Sequence, residues 1–141
     1  MELREHFEKI MAESVNMALA TCNGTNPNVR VVTFAYDHAT PGKLYFTTFK
    51  ECAKVAEFEQ NPNVACMPLP ASPEADAQVR IFGKVQKSAM TMDEVIALIE
   101  RKHGGDSDML REGAPMMDIY EVCFPQALVT VGVTAPEVVV F

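Results

Sequence analysis

No apolar run in the sequence approaches the ~18–20 residues that cross a bilayer as a helix, which argues against a helical membrane span. The opening residues, Met1-Glu2-Leu3-Arg4-Glu5-His6, lack the basic and then apolar regions of a secretory leader, so the expected location is cytoplasmic. Glycine and proline are sparse, 7 and 9 in 141 residues, which excludes low complexity, and a hydrophobic content of 48% excludes disorder. Cationic excess is missing too. Lys and Arg total 12 against 19 Asp and Glu, a formal net charge of -7, which disfavours sequence-independent binding to nucleic acid. The cysteines Cys22, Cys52, Cys66 and Cys123 form no Cys-x-x-Cys pair and have no nearby His in ligand spacing. They read as reduced thiols, with no metal site and no disulfide framework. The chain length suits one domain, since ~100–150 residues is the usual size, and such a fold buries roughly two-thirds of its unfolded surface.

What is present is a hydrophobic pattern that changes type along the chain. Leu3, Phe7, Ile10, Met11 and Val15 recur at helical spacing, with charged residues on most of the opposite face. Short β-rich runs follow at 17–22, 29–36 and 43–48, separated by turn residues at 23–28 and 37–42. Thr48-Phe49-Lys50-Glu51 has capping-box spacing and predicts a helix opening at Thr48, with Val55 and Phe58 on its apolar edge, ended by Asn61-Pro62. A strand is expected at 64–69. After a proline-rich loop, 78–86 alternates strictly, with Val79, Ile81, Gly83 and Val85 on one side. Thr91-Met92-Asp93-Glu94 is a second capping box, opening a helix with Met92, Val95, Ile99 and Lys102 on one stripe and closed by Gly104-Gly105. Residues 106–115 are polar and read as a surface excursion, and three strands at 119–124, 127–133 and 137–141 complete the chain. Strands with three interspersed helices do not alternate as a parallel βαβ fold would; the class is mainly β (β+α), a small antiparallel barrel with helices outside.

One region is electrostatically odd. Lys50 and Lys54 are expected one turn apart in the opening turns of the Thr48 helix, where cations oppose the helix dipole by ~0.3–1 kcal/mol each. With free backbone amides and the Thr48 hydroxyl nearby, they define a candidate anion site, and a bound phosphate would reverse the unfavourable sign. Arg30 opens an otherwise apolar run, where a guanidinium suits bidentate recognition of an oxyanion. The plain alternatives stand beside this: Glu51 pairs with Lys54, Lys50 faces water, and Arg30 is a strand-edge residue in solvent. His6, His38 and His103 read as solvent-facing, and no Ser-His-Asp order stands out.

Asn28-Val29-Arg30-Val31-Val32-Thr33-Phe34, Leu44-Tyr45-Phe46-Thr47-Thr48, Cys52-Ala53-Lys54, Glu59-Gln60-Asn61-Pro62-Asn63-Val64-Ala65 and Gln78-Val79-Arg80-Ile81-Phe82-Gly83-Lys84-Val85 stand in this order. Together they resemble the flavin-binding split-barrel proteins, the superfamily of pyridoxamine 5′-phosphate oxidase, best over residues 15–88. The resemblance implies a six-stranded antiparallel split β-barrel with flanking helices, a single FMN-binding domain over residues 1–141. It further implies that Arg30 and Lys54 hold the FMN phosphate, and that Val31, Val32 and Thr33 line the isoalloxazine. Thr47 and Thr48 stand at the family's strand-to-helix pair, and Gln78 matches a glutamine that reaches the flavin, often from a partner subunit. Lys50 joins this set on the electrostatic argument alone. Cys52 stands where the family usually has Ser or Gly, and a thiol at a helix start has a lowered pKa when the amides face it.

A family site of this kind forms at a two-fold interface, which implies an isologous homodimer with FMN between subunits. The apolar end 137–141 is expected to be paired in the barrel or buried against a partner. FMN carries hydride and electron chemistry, so no acid–base dyad is required of the protein, and none is assigned. The chain lacks a C-terminal arginine-and-proline segment for pyridoxamine phosphate, so the implied function is a flavin-dependent oxidoreductase with an unassigned small substrate and electron donor. Three rival readings are a flavin carrier or sensor without turnover, the same fold holding haem or a deazaflavin, and a barrel interaction module with merely solvated lysines.

Overall fold

The structure, a computed structural model, describes residues 1–105 and 107–141. Asp106 and the His103 side chain, and with them that part of the expectations above, lie outside the described residues. Strand β1 (Asn16–Asn23) turns through Gly24-Thr25 into β2 (Asn26–Tyr36). Gly24 has φ 63, the left-handed value that a type II′ hairpin asks of its first central residue. The tight turn pairs Cys22 with Pro27 and Asn23 with Asn26, so residues 26–28, expected in the turn, begin the strand. β2 pairs with β3 (Lys43–Phe49), β3 with β6 (Met117–Cys123), and β6 with β5 (Ala77–Lys87). β5 pairs with β4 (Asn63–Pro68), and β4 pairs back onto β1, closing a six-stranded antiparallel barrel.

β5 is where the barrel splits. One of its edges runs with β6 over Lys84–Lys87 and then takes β7 (Gln126–Val131) over Ala77–Ile81. Gly83 sits at the handover, where an added Cβ would lie 2.6 Å from the Cys123 carbonyl oxygen. No side chain fits there. β8 (Glu137–Val140) pairs with β7 outside the closed barrel, burying Val139 and leaving Val138 and Val140 exposed.

Alternation puts Met17 and Leu19, Val32 and Phe34, Leu44 and Phe46, and Val79, Ile81 and Val85 inside one core. Each such buried side chain stabilises by ~1.5–3 kcal/mol. Helix α1 (Leu3–Glu13) covers one end with Phe7 and Met11, Phe7 meeting Tyr36 edge-on at 5.7 Å and Phe141 at 4.7 Å. Helix α2 (Ala53–Gln60) plugs the other end with Val55 and Phe58, the latter 5.8 Å from Phe46 and 5.4 Å from Tyr120. Helix α3 (Met92–His103) lies outside the barrel, where Val95 and Ile99 cover Ala35, Tyr45 and Ile119. Its capping box is formed as expected: the Thr91 hydroxyl accepts from the Glu94 amide, and Gly104 ends the helix at φ 73. The polar segment after it is not irregular. It folds into a short helix α4 (Asp108–Gly113) and a 3-10 turn (Ala114–Met116), so among the described residues four α-helices accompany the barrel rather than three.

Candidate anion site at the barrel mouth

Arg30 belongs to the inward-facing set of β2, two residues before Val32, and enters the barrel where the apolar core gives out beneath α2. Its Nη1 donates to the Thr21 hydroxyl at 2.8 Å and to the Leu19 carbonyl at 3.4 Å, and its Nη2 donates to Glu57 Oε2 at 3.1 Å. Glu57 is buried on α2 and accepts further hydrogen bonds from the Thr21 hydroxyl and from Asn28 Nδ2 at 3.3 Å. The Thr21 bond holds the Glu57 carboxyl below the usual carboxylate range, aided by Asn28 and Arg30 against the upward push of burial. The guanidinium is therefore neither a solvent-facing strand-edge group nor a free one. It is pinned.

The entrance to α2 differs from the capping box expected at Thr48. Thr48 remains in the β3 ladder opposite Asp118, buried, and its hydroxyl lies 3.1 Å from Cys52 Sγ. Glu51 has φ 59, a left-handed conformation in which a helix cannot continue back toward the strand. Cys52 is consequently the N-cap, and the helix starts at Ala53. Lys50 falls in the exposed turn before it, its amide donating to the Met116 carbonyl at 3.0 Å. Lys50 and Lys54 are thus not one helical turn apart. Burial pushes the Cys52 thiol up, but the Thr48 hydroxyl, the Val55 amide and the Lys54 charge outweigh it and lower the pKa.

Lys54 occupies the second position of α2 and is half-buried. Burial lowers its pKa, the Arg30 charge lowers it further, and Cys52 opposes both. Among the described residues no carboxylate comes within 4.0 Å of its ammonium. The mouth thus holds two cations, Arg30 and Lys54, against one carboxylate, Glu57, beside the positive end of a helix dipole. One positive charge is left over in a partly desolvated place. A phosphate monoester has the chemistry to satisfy it, so the residues present fit the phosphate end of a flavin mononucleotide.

The remaining expected residues are distributed differently. Val31 points outward from β2 and is 58% exposed. Thr33, half-buried, donates to Asn16 Oδ1 at 3.0 Å, and Thr47, half-buried on β3, pairs with Ile119. Val32 points the opposite way into the core, so only its backbone is open to a ligand on the outer face. Gln78 is exposed on β5, paired with Thr130, with β4 and β1 between it and β2. Within one chain it does not meet Arg30 or Thr47. It borders instead a cleft of about 530 Å³ between α1 and the proline-rich loop, shared with His6, Lys9, Glu13 and Asp76.

Glu57, Thr21 and Asn28 were absent from the sequence-derived set. Thr21 is nonetheless a hydroxyl at the third inward position of β1 after Met17 and Leu19, a polar residue on an apolar face; Glu57 lies two residues from Val55 and one from Phe58, off their apolar edge, and no spacing marks it. Outside the barrel, cross-strand neighbours form apolar rows: Val31, Ala18 and Met67 in one; Val29, Ala20, Ala65 and Phe82 in the next. Val29, Val31 and Phe82 are each more than half exposed.

A closed six-stranded barrel extended by two strands, with a cationic mouth under a plugging helix, defines a split-barrel protein with a candidate anion site. The chain belongs to the pyridoxamine 5′-phosphate oxidase-like family, whose sequence profile matches residues 10–135. It is similar in structure to a candidate pyridoxamine 5′-phosphate oxidase from Listeria innocua at 23% identity, with a TM-score of 0.69, covering 91% of this chain and 98% of that one. General stress protein 26 from Bacillus anthracis matches with a TM-score of 0.74 at 16% identity, over 100% of both chains. HutZ, the haem storage protein of Vibrio cholerae, matches with a TM-score of 0.70 at 16% identity, over 93% of this chain and 95% of that one. Comparison with curated proteins gives no match. Among the described residues no helix is long and apolar enough to cross a membrane.

Proposed function

We propose that this chain is a single FMN-binding domain that works as a cytoplasmic homodimer and acts as a flavin-dependent oxidoreductase on a small substrate. The observation that carries the reading is the half-buried Lys54, held beside Arg30 with, among the described residues, only Glu57 paired to offset the two. Arg30, Lys54 and Thr48 would hold the phosphate. Val31, the Val32 backbone, Thr33 and Thr47 would carry the ring on the outer face of β2 and β3, and Lys50 would stay at the rim. Bound FMN supplies the hydride or electron transfer. The protein's part is to bind, orient and exclude water.

Two observations support the dimer. Gln78 is remote from the phosphate residues of its own chain, so a second copy would have to deliver its amide to the ring. The apolar row through Ala20, Ala65 and Phe82 borders a shallow hollow of about 590 Å³ that a self-complementary face would cover. Four free thiols accord with a reducing compartment.

The likeness to a haem storage protein favours a second reading, in which the same fold holds haem without turnover. The absorbance spectrum of the freshly purified protein, followed by titration with FMN and then with riboflavin, separates the two. A flavin spectrum and tighter binding of FMN than of riboflavin support the proposal. A haem band, or equal affinity for both flavins, refutes it. Steady-state reduction by a nicotinamide donor then distinguishes an oxidoreductase from a carrier, which does not cycle.

A further inference from the structure

We propose that the cleft between α1 and the proline-rich loop is a second small-molecule site, which takes an organic cation: a primary ammonium on an apolar body. It lies toward the barrel end that α1 covers, whereas the Arg30 mouth lies at the end that α2 plugs, and it stands independently of any flavin. Its volume of about 530 Å³ falls within the ~300–1,000 Å³ of ordinary ligand pockets. The loop wall is held at both ends. The Leu69 amide donates to the Asn16 carbonyl at 2.9 Å, and the Gly132 amide donates to the Asp76 carbonyl at 2.6 Å. Ile10, Met67 and Pro68 give the cleft apolar lining. Ser14 borders it too, only 2% exposed. The Ser14 amide donates to the Ile10 carbonyl at 2.9 Å, but the hydroxyl makes no hydrogen bond among the described residues. Buried polar groups ordinarily have partners, and the open space this hydroxyl borders is the cleft.

The charge around the cleft is unbalanced. Three carboxylates, Glu13, Glu74 and Asp76, border it against the ammonium of Lys9 and the imidazole of His6. None of the five forms an ion pair within 4.0 Å among the described residues. Glu13 moreover stands in the last turn of α1, where the helix dipole is negative and no basic residue offsets it. A cation in the cleft is therefore favoured by the carboxylates and by the dipole together, and an anion is repelled by both. A primary ammonium brings three donors, enough for carboxylates and the Ser14 hydroxyl at once. A bare metal ion fits less well: among the described residues no three ligating side chains converge, and the apolar lining would go unused.

Phenethylamine, 2-phenylethanol and 3-phenylpropionate share an apolar body and differ in charge, and calcium supplies charge without the body. Titration of the full chain with each at low ionic strength, followed by NMR at the amides of Ile10, Ala71 and Ala77, should rank phenethylamine first and show no shift with the carboxylate. The double variant Glu13→Gln, Asp76→Asn removes two partly exposed charges and should weaken the amine by about 2- to 30-fold while leaving the alcohol unchanged. Ser14→Ala should weaken it by about 2- to 10-fold without lowering the melting temperature, because no protein partner is lost. Lys9→Gln removes a competing cation and should tighten it. Equal affinity for amine and alcohol overturns the proposal, as do amine shifts confined to residues away from the cleft. Tighter binding of calcium than of the amine at these residues overturns it in favour of a metal site. A Ser14→Ala protein that melts below the wild type overturns it as well, since the hydroxyl would then serve the fold.

Discussion

Lys54 is the position where ligand binding and stability should respond in opposite directions. Its ammonium stands in the first turn of α2, half-buried and near Arg30, and burial together with that charge lowers its pKa. A cation in a first helical turn opposes the dipole by ~0.3–1 kcal/mol. Lys54→Met keeps an apolar stem against the barrel and removes the charge. The apo protein should therefore gain about that much stability, a rise in Tm of roughly 1–4 °C for a chain of this size. The folded pKa lies below the unfolded value of ~10.4, so between the two the unfolded chain holds more protons and wild-type stability rises with pH. The advantage of the variant should accordingly shrink as pH climbs through that window. Binding moves the other way. A charge-assisted contact to phosphate is worth ~1.5–3 kcal/mol, so FMN affinity should fall by about 10- to 150-fold while riboflavin affinity stays unchanged. Calorimetric melting without ligand and titration with both flavins measure the two effects. A variant that melts below the wild type, or that keeps its full preference for FMN, would show that Lys54 is neither strained at rest nor in contact with phosphate.

Gly83→Ala places a Cβ 2.6 Å from the Cys123 carbonyl oxygen and 2.8 Å from Val122 Cγ1, so overpacking should cost ~1–3 kcal/mol, read as a lower denaturant midpoint; wild-type stability would contradict the close approach at the split. Phe82→Asp, on the exposed end of an apolar row, should convert the proposed dimer to monomer in light scattering and weaken FMN binding with it; an intact dimer would mean that subunits meet elsewhere. Burial pushes the Lys102 ammonium, 3.3 Å from the Phe34 carbonyl and 3.7 Å from its ring centroid, down to about 8. The unfolded chain keeps that proton to ~10.4, so the stability of the wild type relative to Lys102→Met should rise from near pH 8 to that point; a flat difference would place the amine in water.

Most of the fold was legible because strand alternation and helix caps are local signals. The alternation of Gln78 through Gln86 separates buried Val79, Ile81 and Val85 from exposed Gln78, Arg80 and Phe82, and the Thr91 capping box forms as spelled. The same spelling at Thr48 does not form. Thr48 is claimed by its ladder partner Asp118 and by Cys52, and Glu51 breaks the helix in the left-handed region. A four-residue pattern cannot weigh a strand pairing made more than sixty residues away. Residues 107–116 hid a helix for a different reason: a helix of six residues with no buried side chain leaves almost no periodicity to read.

By itself the sequence determined which residues face the core, where the strands run, and that cations precede and enter the helix after β3. Charge and residue type are intrinsic, and a period of two or of 3.6 follows from backbone geometry alone. Only the tertiary structure decided which charges meet. Closure of β4 onto β1 and docking of α2 into the barrel end bring Glu57 and Lys54 to Arg30 and Thr21, and carry Lys50 and Gln78 away from them. Partners so far apart along the chain are set by how strands close and where a helix lands, and no local spacing contains that.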